Sequence, residues 1–417
     1  MRIAIAGSGI SGLATAWLLA PHHDVVLYEA DPRPGGHTNT VDVSLPGGDH
    51  AVDTGFIVCN DRTYPNFLRF LDELGVATQP SDMTFSVSCE RTGIEWAGTD
   101  LNGVFAQRAN AVRPAFARML VDVARFGRLG RRRLRDSAAG DDLGTLADFV
   151  AEHRFGAAFV DLYLVPLGAA VWSAAPATFD RYPLRPLLSF LDNHGLLDLR
   201  QRPQWMTVRG GARTYVEAVV AELGDRVRLG CPVEGITRTA AKVEVRSRAG
   251  TEVFDHVVLA THAPQALAAL DDPSPTEREV LGALRTVPNV ATLHTDRRML
   301  PRSERAWASW NYHRLAGDGE RVAVTYDLNR LQRLGADRPV CVTLNRHDDI
   351  DPDLVLSRID YAHPVYDPAS DRARRRRDEI SGPNRTSYVG AYWHHGFHED
   401  GIRSAVEACR PLGSRWA

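Results

Sequence analysis

The sequence predicts an α/β fold in which a Rossmann-like parallel sheet is interleaved with a second, α+β domain. Three observations carry that expectation. Residues 3–6, Ile-Ala-Ile-Ala, form a short unbroken apolar run, the signature of a strand buried on both faces. Gly7-Ser8-Gly9-Ile10-Ser11-Gly12 follows at once, a helical pattern runs over residues 10–19, and residues 25–28 read as a second strand. The chain then makes a long excursion and returns with strand and glycine-rich segments in 205–263 and 387–409.

Each early glycine has a mechanical reason. Gly7 permits the tight turn out of the strand. Gly9 lacks a Cβ, so the backbone can approach a pyrophosphate. Gly12, with Ala16 a turn later, lets the helix pack close to the sheet. Ile10 and Ser11 open the helix, whose free N–H groups and partial positive charge favour phosphates. Glu29 lies seventeen residues past Gly12, followed by Ala30, where a carboxylate can accept hydrogen bonds from ribose hydroxyls. A secretory signal or membrane anchor is the competing reading, since residues 3–21 carry no charge. Three glycines, two serines, a lone Arg2 ahead and no convincing cleavage site count against it.

The 417 residues suffice for two domains, or for one large domain with an insert, and 44% hydrophobic content supports a substantial core. The net charge of −3 gives no global field for nucleic acid. Cys59, Cys89, Cys231, Cys341 and Cys409 are scattered, with no CxxC or metal-type spacing. A reducing cytoplasm is the expected location. Lys242 is the only lysine.

After Glu29, Arg33 and Gly35-Gly36-His37-Thr38 read either as an ordinary turn or as a second loop on the phosphate side, with Arg33 near the nucleotide. GxGxxG, then an acid, then R-x-GG resembles the FAD-dependent amine oxidoreductase superfamily, which includes monoamine oxidases, protoporphyrinogen oxidase and phytoene-desaturase-type enzymes. The resemblance implies non-covalently bound FAD. His37 stands where that family usually has Arg or Lys. Residues 52–57, with Gly55 and Phe56, resemble the family's D-x-G segment near the flavin. Residues 64–74 read as a helix ended by Gly75.

From residue 76 the character changes. Residues 84–89 and 93–96 read as a hairpin, and 113–135 as a helix with an apolar stripe and an arginine-rich end. That end is either a solvated basic helix terminus or an interfacial segment touching anionic lipid, which gives a peripheral membrane contact. Helices follow over 143–153 and 155–165, leading to Trp172 and Pro176. The apolar segment 183–197 includes His194, read as a loop residue with a backbone partner or as a catalytic group.

Residues 205–215 precede an amphipathic helix and are similar to the superfamily's second glycine pair. The resemblance places the Val233 backbone against the adenine, and Ala260-Thr261 in the segment that closes under the dinucleotide. Residues 242–248 and 252–254 read as a hairpin, and 256–259 as an apolar strand. A second sheet is expected from 291–294, 306–312, 321–327 and 340–344, and residues 372–377 as a solvated charge run. The closing stretch, Gly390 to Ile402, is a loop running into a helix N-terminus. By resemblance, Gly401 and Ile402 stabilise the N1–C2=O edge of reduced flavin, and Gly390 lies on the ribityl-phosphate side. Tyr392, Trp393, His394 and His395 would then line the isoalloxazine face, or merely pack the loop.

The segments Gly36-His37-Thr38-Asn39-Thr40, Asn193-His194-Gly195-Leu196-Leu197 and Gly390-Ala391-Tyr392-Trp393 carry a closer likeness to a branch of predicted NAD/FAD-binding proteins associated with bacterial fatty-acid modification. The expectation is a Rossmann-like FAD-binding domain over 1–75, 205–287 and 380–417, and a substrate domain over 76–204 and 288–379. The expected reaction is hydride transfer from a largely apolar, lipid or fatty-acyl substrate to flavin N5, of the dehydrogenase or desaturase type, with the electron acceptor left open. His194, His394, His395, Tyr392 and Trp393 are the catalytic candidates. An amine oxidase, an NAD-binding enzyme and a non-catalytic flavin-binding protein stay open.

Overall fold

Residues 3–6 run through the middle of a five-stranded parallel sheet. In spatial order its strands are Val227–Arg228, Asp24–Tyr28, Arg2–Ala6, His256–Leu259 and Thr386–Tyr388. Ala6 stands in register with Tyr28 on one side and Leu259 on the other. The central position explains the unbroken apolar run. Ile3 and Ile5 pack under the helices Ile10–Leu19 and His398–Cys409, while Ala4 and Ala6 face Val245 and Phe254. The latter two residues belong to a three-stranded antiparallel sheet, Val233–Arg238, Val243–Ser247 and Gly250–Phe254, that covers the second face. The computed structural model describes residues 1–138, 141–172, 182–197, 203–316 and 323–416.

The second region is built on a seven-stranded sheet, in the order Val355–Pro364, Thr286–His294, Cys341–Leu344, Val324–Asp327, Trp310–Arg314, Phe85–Cys89 and Ile94–Ala97. The helices Pro114–Arg135, Leu146–Glu152 and Leu184–Asn193, with the helical run from Ala157 to Trp172, enclose a separate apolar core with it. Gly127 and Gly130 lie inside the long helix, where glycine costs on the order of 1 kcal/mol each relative to alanine. They are needed for close approach: a Cβ on Gly127 would stand 2.5 Å from the Leu197 carbonyl oxygen, and one on Gly130 2.8 Å from Leu188 Cδ2.

Several elements differ from expectation. The longest strand, Val355–Pro364, was not foreseen. It is an edge strand whose Leu356, Arg358 and Asp360 point to solvent, so its charges hide the period-two pattern. The hairpin Thr40–Leu45 and Gly48–Asp53 was also not foreseen. The strand expected over 306–312 begins only at Trp310, after a 3₁₀ turn at Glu304–Ala306. Of 321–327, residues 321–322 lie outside the described residues, as does Pro176; the side chain of Trp172 does too. The charge run 372–377 is solvated in part: Arg372 and Arg375 are exposed and Arg374 pairs with Asp371 of its own helix, while Arg377 reaches the closing helix at Glu407 (2.5 Å) and the Ser404 carbonyl (2.9 Å).

No helix among the described residues is long and apolar enough to cross a membrane. All five cysteines are buried and unpaired.

Candidate functional site

The glycine loop is fixed by contacts that no other residue allows. Gly7 sits at φ +100°, its N–H donates to the Tyr28 carbonyl at 2.8 Å, and an added Cβ would meet the Ala260 carbonyl oxygen at 2.9 Å. A Cβ on Gly12 would lie 1.8 Å from the Gly7 carbonyl oxygen. Gly9 is the contrast: its backbone is extended and an added Cβ would meet nothing within 4 Å. That open side, at the N-terminus of the first helix and the carboxyl ends of the parallel strands, fits a pyrophosphate.

Glu29 stands beside this opening. Its Oε2 accepts the Ser8 N–H at 2.8 Å and the Ser8 hydroxyl, and its Oε1 accepts the Asp31 N–H at 2.9 Å. A carboxylate offers about four acceptor sites, so capacity remains for a ribose hydroxyl. Ala30 is exposed next to it, and the neighbouring Cys231 N–H donates to the Glu29 carbonyl at 2.8 Å, bringing the start of the Val233 strand to the same side.

Gly36 folds over Gly9: a Cβ on Gly36 would stand 3.2 Å from Gly9 Cα. Gly35 donates to the Ser8 carbonyl at 3.1 Å. Arg33 does not point at the nucleotide side alone. Its guanidinium donates to the Gly36 carbonyl at 2.7 Å and the Thr38 carbonyl at 3.2 Å, so it braces the double-glycine loop. Gly55 is pressed against the same loop, where a Cβ would be 2.1 Å from the His37 carbonyl oxygen. Asp53 is buried and accepts from Thr40, Gln332 and the Ala212 N–H, which ties the D-x-G segment to the second glycine pair. Ala260 donates to the Ala6 carbonyl at 2.8 Å, and Thr261 abuts Gly7.

Two side-chain groups at this edge were not anticipated. Thr38, Tyr215 and His398 form a buried polar triangle: His398 Nε2 lies 2.9 Å from the Thr38 hydroxyl and 3.1 Å from the Tyr215 hydroxyl. Phe56 stacks on His398 with ring centres 3.6 Å apart. Burial holds the His398 pKa well below its usual value, so the ring is neutral. The second group surrounds His37, whose ring stacks on Tyr361 at 4.8 Å and lies within 6 Å of His262 and His363. Burial and the neighbouring histidines push His37 down to about 3. Tyr361 and His363 come from the unforeseen edge strand, so sequence gave no means of finding them. His398 stood within the closing motif, three residues before Gly401, and was legible there.

The closing helix crosses the first one at Gly401, where a Cβ would be 2.7 Å from Ile10 Cγ2 and 2.9 Å from the Ser11 hydroxyl. The flavin contact expected of Gly401 and Ile402 has no free backbone N–H at Gly401 to carry it. The Gly401 N–H already donates to the Phe397 carbonyl at 3.1 Å, and Ile402 is buried in the core. The N–H groups left without helical acceptors are those of the first turn, His398 to Asp400. Gly390 donates its N–H to Ser404 at 2.9 Å.

The catalytic candidates separate into two sets. Tyr392 and Trp393 are buried in the core beneath the parallel sheet, Tyr392 lying against Gly390. His394 points elsewhere, its Nε2 3.5 Å from Glu407, which also pairs with Arg377 and Arg403. His194 and His395 do converge. His194 stacks on Phe190 at 3.9 Å, with Phe397 and Trp205 around it, and His395 lies 6.0 Å from Phe190. His194 Nδ1 is 2.9 Å from the Phe190 carbonyl oxygen. A carbonyl only accepts, so Nδ1 carries the proton and Nε2 keeps a free lone pair. Burial lowers both histidines to about 4. The apolar residues Phe159, Leu162, Leu164, Leu187, Leu188 and Leu191 form a continuous core behind this wall, joined by the partly buried Tyr163.

A family model described as flavin containing amine oxidoreductase matches residues 10–358. Two curated relatives named "Putative flavin-containing monoamine oxidase AofH", from two strains of Mycobacterium tuberculosis, are 26% identical over 303 residues. The match covers 67% of this chain and 61% of theirs. Among solved structures, a cyclohexylamine oxidase from Brevibacterium oxydans superposes with a TM-score of 0.70 at 17% identity, over 99% of this chain and 98% of that one. A CLA-producing fatty acid isomerase from P. acnes gives the same TM-score and coverage at 16% identity. Both likenesses speak for the fold.

Proposed function

Because the chain belongs to the flavin containing amine oxidoreductase family, we propose that it is an FAD-dependent oxidoreductase acting on a largely apolar, lipid or fatty-acyl substrate. FAD is the cofactor of that family, and the open side of Gly9, the Glu29 carboxylate and the first turn of the closing helix fit its pyrophosphate, ribose and flavin ends. When bound, the flavin supplies the hydride acceptor. The chain's own residues bind, orient and exclude water. The N–H groups of His398 to Asp400, at the N-terminus of the closing helix, would stabilise negative charge on a bound flavin, and the Thr38–Tyr215–His398 triangle fixes the turn that carries them.

The observation that carries the substrate class is the wall of Phe190, His194, Trp205 and Phe397, rings whose one titratable member is a neutral imidazole. An apolar chain gains along its whole length by lying against such rings, whereas an ammonium gains only at the ring faces, through cation–π attraction. Lys242, the only lysine, stands exposed at the foot of the strand Val243–Ser247, away from this wall. Many amine-oxidising relatives keep a lysine on the substrate side. His194 Nε2 is the group best placed by its bonding to take up a proton. The second reading is oxidation of a C–N bond, favoured by the name of the curated relatives.

Anaerobic mixing of the FAD-loaded protein with two panels, simple amines and fatty-acyl lipids including methyl-branched ones, separates the two. Bleaching of the flavin by lipids is the expected result; bleaching by amines with none by lipids overturns it.

A further inference from the structure

We propose that the exposed face of the helix Pro114–Arg135, with the turn that precedes it, is a docking surface for an anionic membrane. The inference does not require the substrate to be a lipid.

Residues 101–135 contain nine arginines and one acid, Asp122, a local charge of +8 in a chain whose total is −3. That asymmetry is large for so short a stretch and creates a strong local field. The same stretch carries unusual apolar exposure. Val112 is 83% exposed, Leu101 78% and Val121 59%, more than any other large hydrophobic residue among the described ones. The long helix sorts these features along its length. Its core face is Phe116, Met119, Phe126, Gly127 and Gly130. Its outward positions recur every three or four residues: Pro114, Ala117, Val121 and Ala124, then Arg128, Arg132 and Arg135, all exposed. One half of the outward stripe is uncharged and the other is basic.

Partners on the neighbouring elements decide which arginines are available. Arg118 and Arg125 neutralise the buried Asp122. Arg133 pairs with Glu152 of the next helix and Arg132 with Asp136. Arg108 and Arg113 are tied to Asn102 and Asn110. Arg128 and Arg135 make no ion pair among the described residues. A basic helix end that merely faces solvent does not account for Val121 exposed two turns before it on the same stripe, nor for Val112 exposed just ahead of the helix. A bilayer surface uses both: apolar side chains enter the headgroup region and arginines meet lipid phosphates, each worth on the order of fivefold in partitioning.

The test is sedimentation of the full-length, FAD-loaded protein with vesicles. We expect binding to vesicles of equal phosphatidylglycerol and phosphatidylcholine, little binding to phosphatidylcholine alone, and a loss of about tenfold or more as salt rises from about 0.05 M to about 0.5 M. The triple variant Leu101→Ser, Val112→Ser, Val121→Ser and the double variant Arg128→Gln, Arg135→Gln should each bind about tenfold more weakly or worse. Unchanged FAD content and circular dichroism establish that these surface variants remain folded. Absence of wild-type binding, or binding equal to wild type in both variants, overturns the proposal. So does loss in the glutamine variant with none in the serine variant, which reduces the surface to a charge attraction that any polyanion would satisfy.

Discussion

The nucleotide edge and the aromatic wall are built on opposite principles. At the nucleotide edge the backbone does the work: Gly7, Gly12, Gly35 and Gly55 are held at distances that exclude a Cβ, and the carbonyls and N–H groups bond to one another. At the wall the side chains do the work: Phe190, His194, Trp205 and Phe397 meet from three separate segments through ring contacts. The first surface is rigid and suits a cofactor that never changes. The second is made of residues that can be exchanged without disturbing the backbone, which suits a surface that sets substrate preference.

The sharpest way to break this comparison lies within the glycine loop. Gly12→Ala forces a Cβ into the Gly7 carbonyl and should cost about 3 kcal/mol or more of folding stability. Gly9→Ala places its methyl in open space on an extended backbone. It should keep apo stability within about 1 kcal/mol while weakening FAD binding by about tenfold or more. Urea unfolding and FAD released into the supernatant by acid precipitation measure the two effects. Unchanged FAD binding in the Gly9 variant would show that Gly9 has no special relation to the cofactor.

Acid titration compares the regions next. His194, His256, His294, His313 and His398 are buried and their pKa values are depressed, to about 4 for the first three and about 3 for His313. In the unfolded chain each takes a proton near pH 6.5, but the folded chain refuses it until far lower pH. Their contribution is therefore complete above pH 6.5 and is lost as pH falls toward 4, at about 1.4 kcal/mol per pH unit for each histidine. The urea midpoint should hold from pH 7.5 to 6.5 and then drop steeply toward pH 5.5. A flat profile there would place these rings in contact with water.

The smallest effect belongs to the wall. His194→Phe keeps the stack on Phe190 and removes one hydrogen bond to its carbonyl, so stability should fall by only about 1 kcal/mol. Turnover should fall far more, and its pH profile should lose the limb due to the imidazole. Unchanged kcat at every pH would leave His194 as packing only.

The amino-acid sequence by itself determined the cofactor edge and the parallel sheet. A tight turn, a left-handed glycine and a doubly buried strand are consequences of local stereochemistry, and they are written in consecutive residues. It also held His398, three positions before a glycine already singled out. Only the tertiary structure decided the rest. It sent Tyr392 and Trp393 into the core and brought His194 and His395 to one ring, although all four lie in or beside irregular loops whose side chains follow no period. It aligned Tyr361 and His363 with His37 through an edge strand whose outward charges mask its alternation. Backbone constraints act between neighbours in sequence, whereas ring contacts form between residues far apart in the chain, and only folding specifies which of them meet.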